Sequence, residues 1–204
     1  MEKIIFHKET KTFHLYNEEI SYIMCVLENG HMGQLYYGKR IHDKPDFSYL
    51  VEKCGRPMTS YIFEGDRSFS LEHIRQEYPV YGTTDYRHPA IEIMQENGSN
   101  ISEFKYVGYE ILKGKPSLKG LPATYTESEE EAETLKIILK DNLTGAKLTL
   151  LYTIFSKGSA IARSAHICNE GEKVLHLQTM MSLNLDLPDK DYVWMQLSGA
   201  WSRE

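Results

Sequence analysis

Leu135–Lys140 (LKIILK), Asp141–Gly145 (DNLTG) and Lys147–Phe155 (KLTLLYTIF) read as strand, turn and strand. Residues that favour a pleated, half-buried surface fill both arms, and the middle holds Asp, Asn and Gly, which accept turn geometry. The same grammar repeats outward from this hairpin. Ser21–Leu27 (SYIMCVL) is almost continuously apolar and stops at Asn29-Gly30, which predicts a buried central strand before a tight turn. Ala90–Gln95 and Ser102–Lys113 flank Asn97-Gly98 and predict a further hairpin. Ala160–Ile167, the Asn169-Glu170-Gly171 turn and the stretch from Lys173 predict another.

From Leu175 the odd positions carry Leu175, Leu177, Thr179, Met181, Leu183, Leu185 and Leu187, and the even ones are mostly polar, from His176 to Asp186. Period-two alternation puts the leucines on a core face and predicts a strand of about thirteen residues, far longer than the usual ~5 to 6. The expected class is all-β with large, long-stranded antiparallel sheets. Two stretches break the pattern. Tyr37–Pro89 is rich in charge, Tyr, His and Pro, a loop excursion too long to be a simple connection and therefore a candidate for function. Glu127–Glu133 (ESEEEAE) is an acidic run expected to stay solvated.

The 204 residues, 41% hydrophobic and 11% aromatic, suffice for one sizeable core. A net charge of -6 offers no broad positive field for phosphates or anionic lipid, so neither nucleic acid nor membrane is an expected partner. The amino terminus lacks the apolar core of a signal peptide, which leads to the expectation of a cytoplasmic protein. Asn97, Asn100 and Asn142 begin Asn-x-Ser/Thr triplets, taken as turn chemistry rather than glycosylation sites. The three cysteines, Cys25, Cys54 and Cys168, form no C-x-x-C pair, and the eight histidines include no pair spaced to chelate from one helix or strand face. No metal or cofactor is expected. Gly108–Lys115 (GYEILKGK) has five residues between its glycines where a phosphate loop has four, and Pro116 stands where the hydroxyl residue would be.

No nucleophile elbow is present. The nearest polar constellation lies in the excursion: Gly65-Asp66-Arg67-Ser68-Phe69-Ser70, then Gln76-Glu77-Tyr78-Pro79, then Tyr81–Pro89 (YGTTDYRHP). A guanidinium supplies a rigid fork of donors and an aromatic ring a face for a pyranose, so this combination suits sugars. Asp85 and Arg87 are expected to pair with the loop rather than with ligand, whereas for Arg67 both roles stand open.

These residues also carry a resemblance. EYPVYGTTDYRHPA, ENGS, KGKPSLKGLPATY and EAETLKI, with TFHL, SYIM, YYGK, DRSFSLE and DYVWMQLSGAWSRE, follow one another as in the amino-terminal domain of family 36 glycoside hydrolases, the α-galactosidases. The resemblance implies a large antiparallel β-sandwich, or supersandwich, with long loops. It would precede a catalytic (β/α)₈ barrel and a small carboxy-terminal β domain, both absent from this chain. It implies a retaining enzyme that releases terminal α-galactose from raffinose-type oligosaccharides, with two carboxylates about 5 to 5.5 Å apart that lie on the barrel. It further implies a homotetramer in which Arg67, with Asp66 beside it, borders a neighbouring subunit's substrate. Phe47–Phe63 departs from the family pattern: an acidic residue expected early in that loop has no fixed counterpart, and Glu52 is the candidate for it. Tyr37 replaces a common Trp. The aromatic close of the chain, DYVWMQLSGAWSRE, fits a piece of a longer protein. The rival expectation is a free-standing carbohydrate-binding β-sandwich, which would need an exposed aromatic platform.

Overall fold

The computed structural model describes residues 3–120 and 123–202. Leu121-Pro122 of the KGKPSLKGLPATY stretch and the closing Arg203-Glu204 lie outside the described residues. Ten strands, β1 (Ile4–His7), β2 (Thr12–Tyr16), β3 (Ile20–Val26), β4 (Met32–Lys39), β5 (Ile91–Gln95), β6 (Lys105–Lys113), β7 (Ala132–Lys140), β8 (Ala146–Phe155), β9 (Ile161–Asn169) and β10 (Leu175–Met180), form three antiparallel sheets. Their orders are β1-β2-β3-β4, β10-β5 and β6-β7-β8-β9.

The SYIMCVL run becomes β3, and its lack of alternation has a simple cause. Tyr22 and Met24 point into the main core against Leu135, Leu148, Leu150 and Tyr152 of the β6–β9 sheet, whereas Ile23 and Cys25 point the other way. The second face is covered by the excursion, whose Phe47, Phe69, Leu71 and Ile74 build a separate cluster with Ile23, Cys25 and Leu35. The sandwich thus carries a third layer of loop. The excursion is loop as expected, apart from a 3-10 turn at Ser48–Leu50, but it begins later than expected. Tyr37–Lys39 remain in β4, paired with Ile20–Tyr22.

Gln76–Val80 is the seam of the front layer. Gln34 N–H donates to Arg75 O, Glu77 N–H donates to Met32 O, and Ala90 N–H donates to Pro79 O. The segment therefore joins the β1–β4 sheet on one side to the β5–β10 sheet on the other.

The hairpin over Leu135–Phe155 forms as expected, in register from Ala132↔Phe155 to Lys140↔Lys147. Three expectations are corrected. The Asn97-Gly98 turn exists, with Gly98 at φ +80° and its N–H on Gln95 O. Its arms do not pair, because β5 bonds to β10 and β6 to β7. The stretch after Asn169–Gly171 does not fold back on β9, for the same reason: β9 pairs with β8 and β10 with β5. The long strand from Leu175 ends at Met180 after a register shift at Leu177/Thr179, and Leu177, Leu183 and Leu187 are exposed rather than core.

Candidate functional site

Phe63 to Asp66 form a tight turn, closed by the Asp66 N–H on Phe63 O at 3.2 Å and permitted by Gly65 at φ +84°. Asp66 Oδ1 then accepts from the Ser68 N–H at 2.8 Å and the Ser68 hydroxyl at 2.6 Å. These hydrogen bonds, helped by the charge of Lys53, hold the Asp66 carboxyl below the usual carboxylate range. Phe69, the next apolar residue, is buried, with its ring 5.2 Å from Phe63. Arg67 is therefore exposed on a loop fixed by a turn on one side and a core anchor on the other.

The Cys54 N–H donates to Ser68 O at 3.3 Å, so the segment that carries exposed Glu52 runs beside the one that carries Arg67. Lys53 Nζ pairs with Glu28 at 2.6 Å and sits 5.9 Å from the Phe69 ring. Of the three residues singled out in the sequence, Arg67 and Glu52 present free ends, while Asp66 has one carboxylate oxygen committed to its own loop. A cavity of about 180 Å³ opens behind this loop, lined by Thr10, Cys25, Leu27, Val51, Lys53 and Phe69 among others. It is smaller than the ~300 Å³ of an ordinary ligand pocket. Burial pushes the Cys25 thiol up to about 12, which removes it as a nucleophile.

The second hairpin, Tyr81–Arg87, has a structural role, as expected for Asp85 and Arg87. Asp85 accepts from Arg87 Nε and Nη2, both at 2.9 Å, and from Gln76 Nε2 at 2.6 Å. Arg87 Nη2 also reaches Leu71 O at 2.9 Å and Ile74 O at 3.2 Å. The pair thereby holds the chain just downstream of Arg67.

Sequence reasoning misses two polar clusters. In the main core, Glu77 accepts from Tyr22 at 2.5 Å, Tyr152 at 2.6 Å and Arg163 Nη2 at 3.0 Å. Burial and the Glu77 charge push both tyrosine hydroxyls well above their ordinary range. Burial opposes the charge on Arg163, but Tyr152, Glu77 and Tyr22 outweigh it and raise its pKa. Arg163 Nη1 also donates to Asn184 O at 3.0 Å, and Asn184 Nδ2 donates to Gln76 O at 3.2 Å, which fixes the strand-less stretch after β10 against the seam. The second cluster, on the outer face of β1–β3, links Asp43, His7, His14 and Ser21. The one sequence signal for the first is a charged residue, Arg163, at an inward position between Ile161 and Ala165.

The buried carboxylates among the described residues are Glu77, Asp85 and Asp141, and each is committed to partners. Asp141 accepts from the Leu143, Thr144 and Glu103 amides. At the other end of the chain, Trp194 and Trp201 are 88% and 96% exposed.

Residues 30–204 match the glycosyl hydrolase family 36 N-terminal domain. The chain is 42% identical over 201 residues to alpha-galactosidase AgaA of Geobacillus stearothermophilus, covering 98% of this chain and 27% of that protein. It is 34% identical over 211 residues to alpha-galactosidase 1 of Pediococcus pentosaceus, covering 100% of this chain and 28% of that protein. A crystal structure of an AgaA variant in complex with raffinose superposes with a TM-score of 0.88 at 43% identity, over 95% of this chain and 27% of that one. The alpha-galactosidase of Lactobacillus brevis gives 0.87 at 38% identity, over 91% and 25%. The chain thus spans little more than a quarter of the relatives it matches, 27% and 28% of their length. Its matched region and its fold both place it in one family: the chain belongs to the glycosyl hydrolase family 36 N-terminal domains.

Proposed function

We propose that this chain is the non-catalytic amino-terminal domain of a cytoplasmic, retaining α-galactosidase that hydrolyses terminal α-galactosyl residues of raffinose-type oligosaccharides. In this reading the catalytic barrel and the carboxy-terminal β domain belong to the remainder of the protein, and the sandwich contributes contacts to a homotetramer and one wall of a substrate subsite. Arg67 carries that wall, with Asp66 orienting its loop and Glu52 on the adjacent segment.

The observation that carries the proposal is the end-to-end similarity to α-galactosidases of which the chain covers about a quarter. AgaA variants have been crystallised with raffinose and with stachyose, which supports the substrate class. The loop geometry supports the role of Arg67: its backbone is fixed on both sides and its guanidinium is free, so it offers a planar fork of donors from a loop whose backbone is already ordered. The exposed aromatic segment at Tyr192–Trp201 supports burial against other protein. No helix among the described residues is long and apolar enough to cross a membrane.

The test compares the full-length protein with this chain. The full-length protein is expected to hydrolyse raffinose and an aryl α-galactoside, and the chain alone neither, since both carboxylates of the reaction lie elsewhere. Turnover by the chain above a mock preparation contradicts the proposal. Micromolar binding of galactose by the chain in calorimetry favours a free-standing carbohydrate-binding module instead.

A further inference from the structure

The excursion is fastened to the front sheet at its first turn by a run of hydrogen bonds through two histidines and a carboxylate. Asp43 Oδ1 lies 2.7 Å from His14 Nδ1 and 2.9 Å from His7 Nε2. His14 Nε2 lies 2.9 Å from Ser21 Oγ, which accepts the Ile41 N–H at 3.0 Å. Phe47 is fully buried, with its ring edge-on to His14 at 5.5 Å.

This geometry fixes the donors. An ionised Asp43 only accepts, so His14 Nδ1 carries the shared proton and the neutral ring accepts from Ser21 through Nε2. Ser21 Oγ keeps a lone pair for the Ile41 amide. The arrangement has the order of a Ser-His-Asp relay, but both Ser21 and His14 are fully buried and the serine oxygen is committed to an amide. It attaches; it does not attack. A second proton on His14 would place an N–H against Ser21, leaving the serine hydrogen without its acceptor in a site closed to water.

We propose that His14, between its acceptor Asp43 and its donor Ser21, forms a proton-operated clasp, which pins Ile41–Phe47 to the outer face of the sheet at neutral pH and releases that segment in mild acid. The Glu52 and Arg67 loop is built on the same second core, so its base loosens with the clasp. Among the described residues, the charged and titratable groups around His14 are Asp43 from the excursion, His7 from β1, Tyr16 from β2 and Arg40 just after β4. Burial above all, then His7 and Arg40, outweigh Asp43 and hold His14 below the ordinary histidine range. Burial pushes Asp43 up, but hydrogen bonds from His14 and His7 more than offset it, so Asp43 stays ionised throughout the window. Because the folded pKa of His14 is depressed, the clasp contributes its full stability above the unfolded value of about 6.5. That stability is lost as pH falls through the folded pKa.

The test is made on the whole chain and does not depend on the proposed enzymatic role. Nitrogen-15 NMR of the His14 ring is expected to show the Nδ1–H form at pH about 7.5 and protonation only below the ordinary value. Amide exchange at Ile41, Phe47 and Leu50, corrected for intrinsic rates, is expected to rise about tenfold more than at Ile137 and Leu150 on acidification, with the midpoint of the His14 titration. His14→Asn, which cannot take up the proton, is expected to abolish that pH dependence. An Nε2–H ring, a rise shared equally with the β7–β8 hairpin, or an unchanged pH dependence in His14→Asn overturns the proposal. If that variant does not fold, the ring titration and exchange of the unmodified chain decide alone.

Discussion

Arg163 on β9 and Glu77 in the seam, 86 residues apart in sequence, meet inside the core with Nη2 3.0 Å from Oε2, where the Glu77 side chain is 0% exposed and that of Arg163 9%. Removing one partner leaves the other as an uncompensated buried charge. Glu77→Gln and Arg163→Met are each expected to cost about 3 to 5 kcal/mol. Urea unfolding of the two variants reads this directly, and a loss below about 1 kcal/mol would show that solvent reaches the pair.

The second core has a chemical reporter. Cys25 lines the cavity beside Phe69 and has its thiol pushed up to about 12, whereas Cys54 and Cys168 are only partly covered. In the native chain a water-soluble disulfide reagent is expected to modify Cys54 and Cys168 promptly and Cys25 only on unfolding. Phe69→Ala, at a cost of about 3 to 5 kcal/mol, is expected to open Cys25 to the same reagent. Equal rates at all three thiols in the native chain would contradict the loop layer.

Two glycines separate close approach from mere permissiveness. A Cβ on Gly171 would lie 2.1 Å from Thr144 O, a backbone atom held by the turn of the central hairpin, whereas one on Gly55 meets nothing within 4 Å. Gly171→Ala is expected to destabilise by about 1 to 3 kcal/mol and Gly55→Ala to fall within about 0.5 kcal/mol of the unmodified chain. Thermal unfolding that ranks the two the other way would refute the approach of the β9–β10 turn to the hairpin.

The elements legible in the sequence are those whose hydrogen bonds close locally. Leu135–Phe155 folds onto itself across five turn residues, and SYIMCVL announces double-sided burial because both of its faces carry large apolar residues. Asn97-Gly98 specifies its turn but not the partners of its arms, since those bonds go to β10 and β7. The alternation after Leu175 overruns the strand because Tyr78 and Arg163 capture the Met181 and Asn184 carbonyls and turn the chain along the seam. Asp85 and Arg87, two residues apart, are recognisable as a local pair. Glu77 with Arg163 and Asp43 with His14 are not, because only the sheet order brings such distant residues together.

The role of Arg67 decides whether this domain takes part in catalysis or only in architecture. In the full-length protein, Arg67→Ala is expected to lower kcat/KM for raffinose about ten- to a hundredfold, on the order of 1 to 3 kcal/mol. Thermal stability should stay within about 0.5 kcal/mol, since the Arg67 side chain is exposed and the loop is anchored by its neighbours Phe63 and Phe69 instead. Arg67→Lys, which keeps the charge and loses the planar fork, is expected to impair turnover as well. The most direct measurement is therefore kcat/KM for raffinose of the unmodified protein, Arg67→Ala and Arg67→Lys at matched oligomeric state. A loss in both variants with unchanged unfolding supports the subsite, and wild-type values in both contradict it.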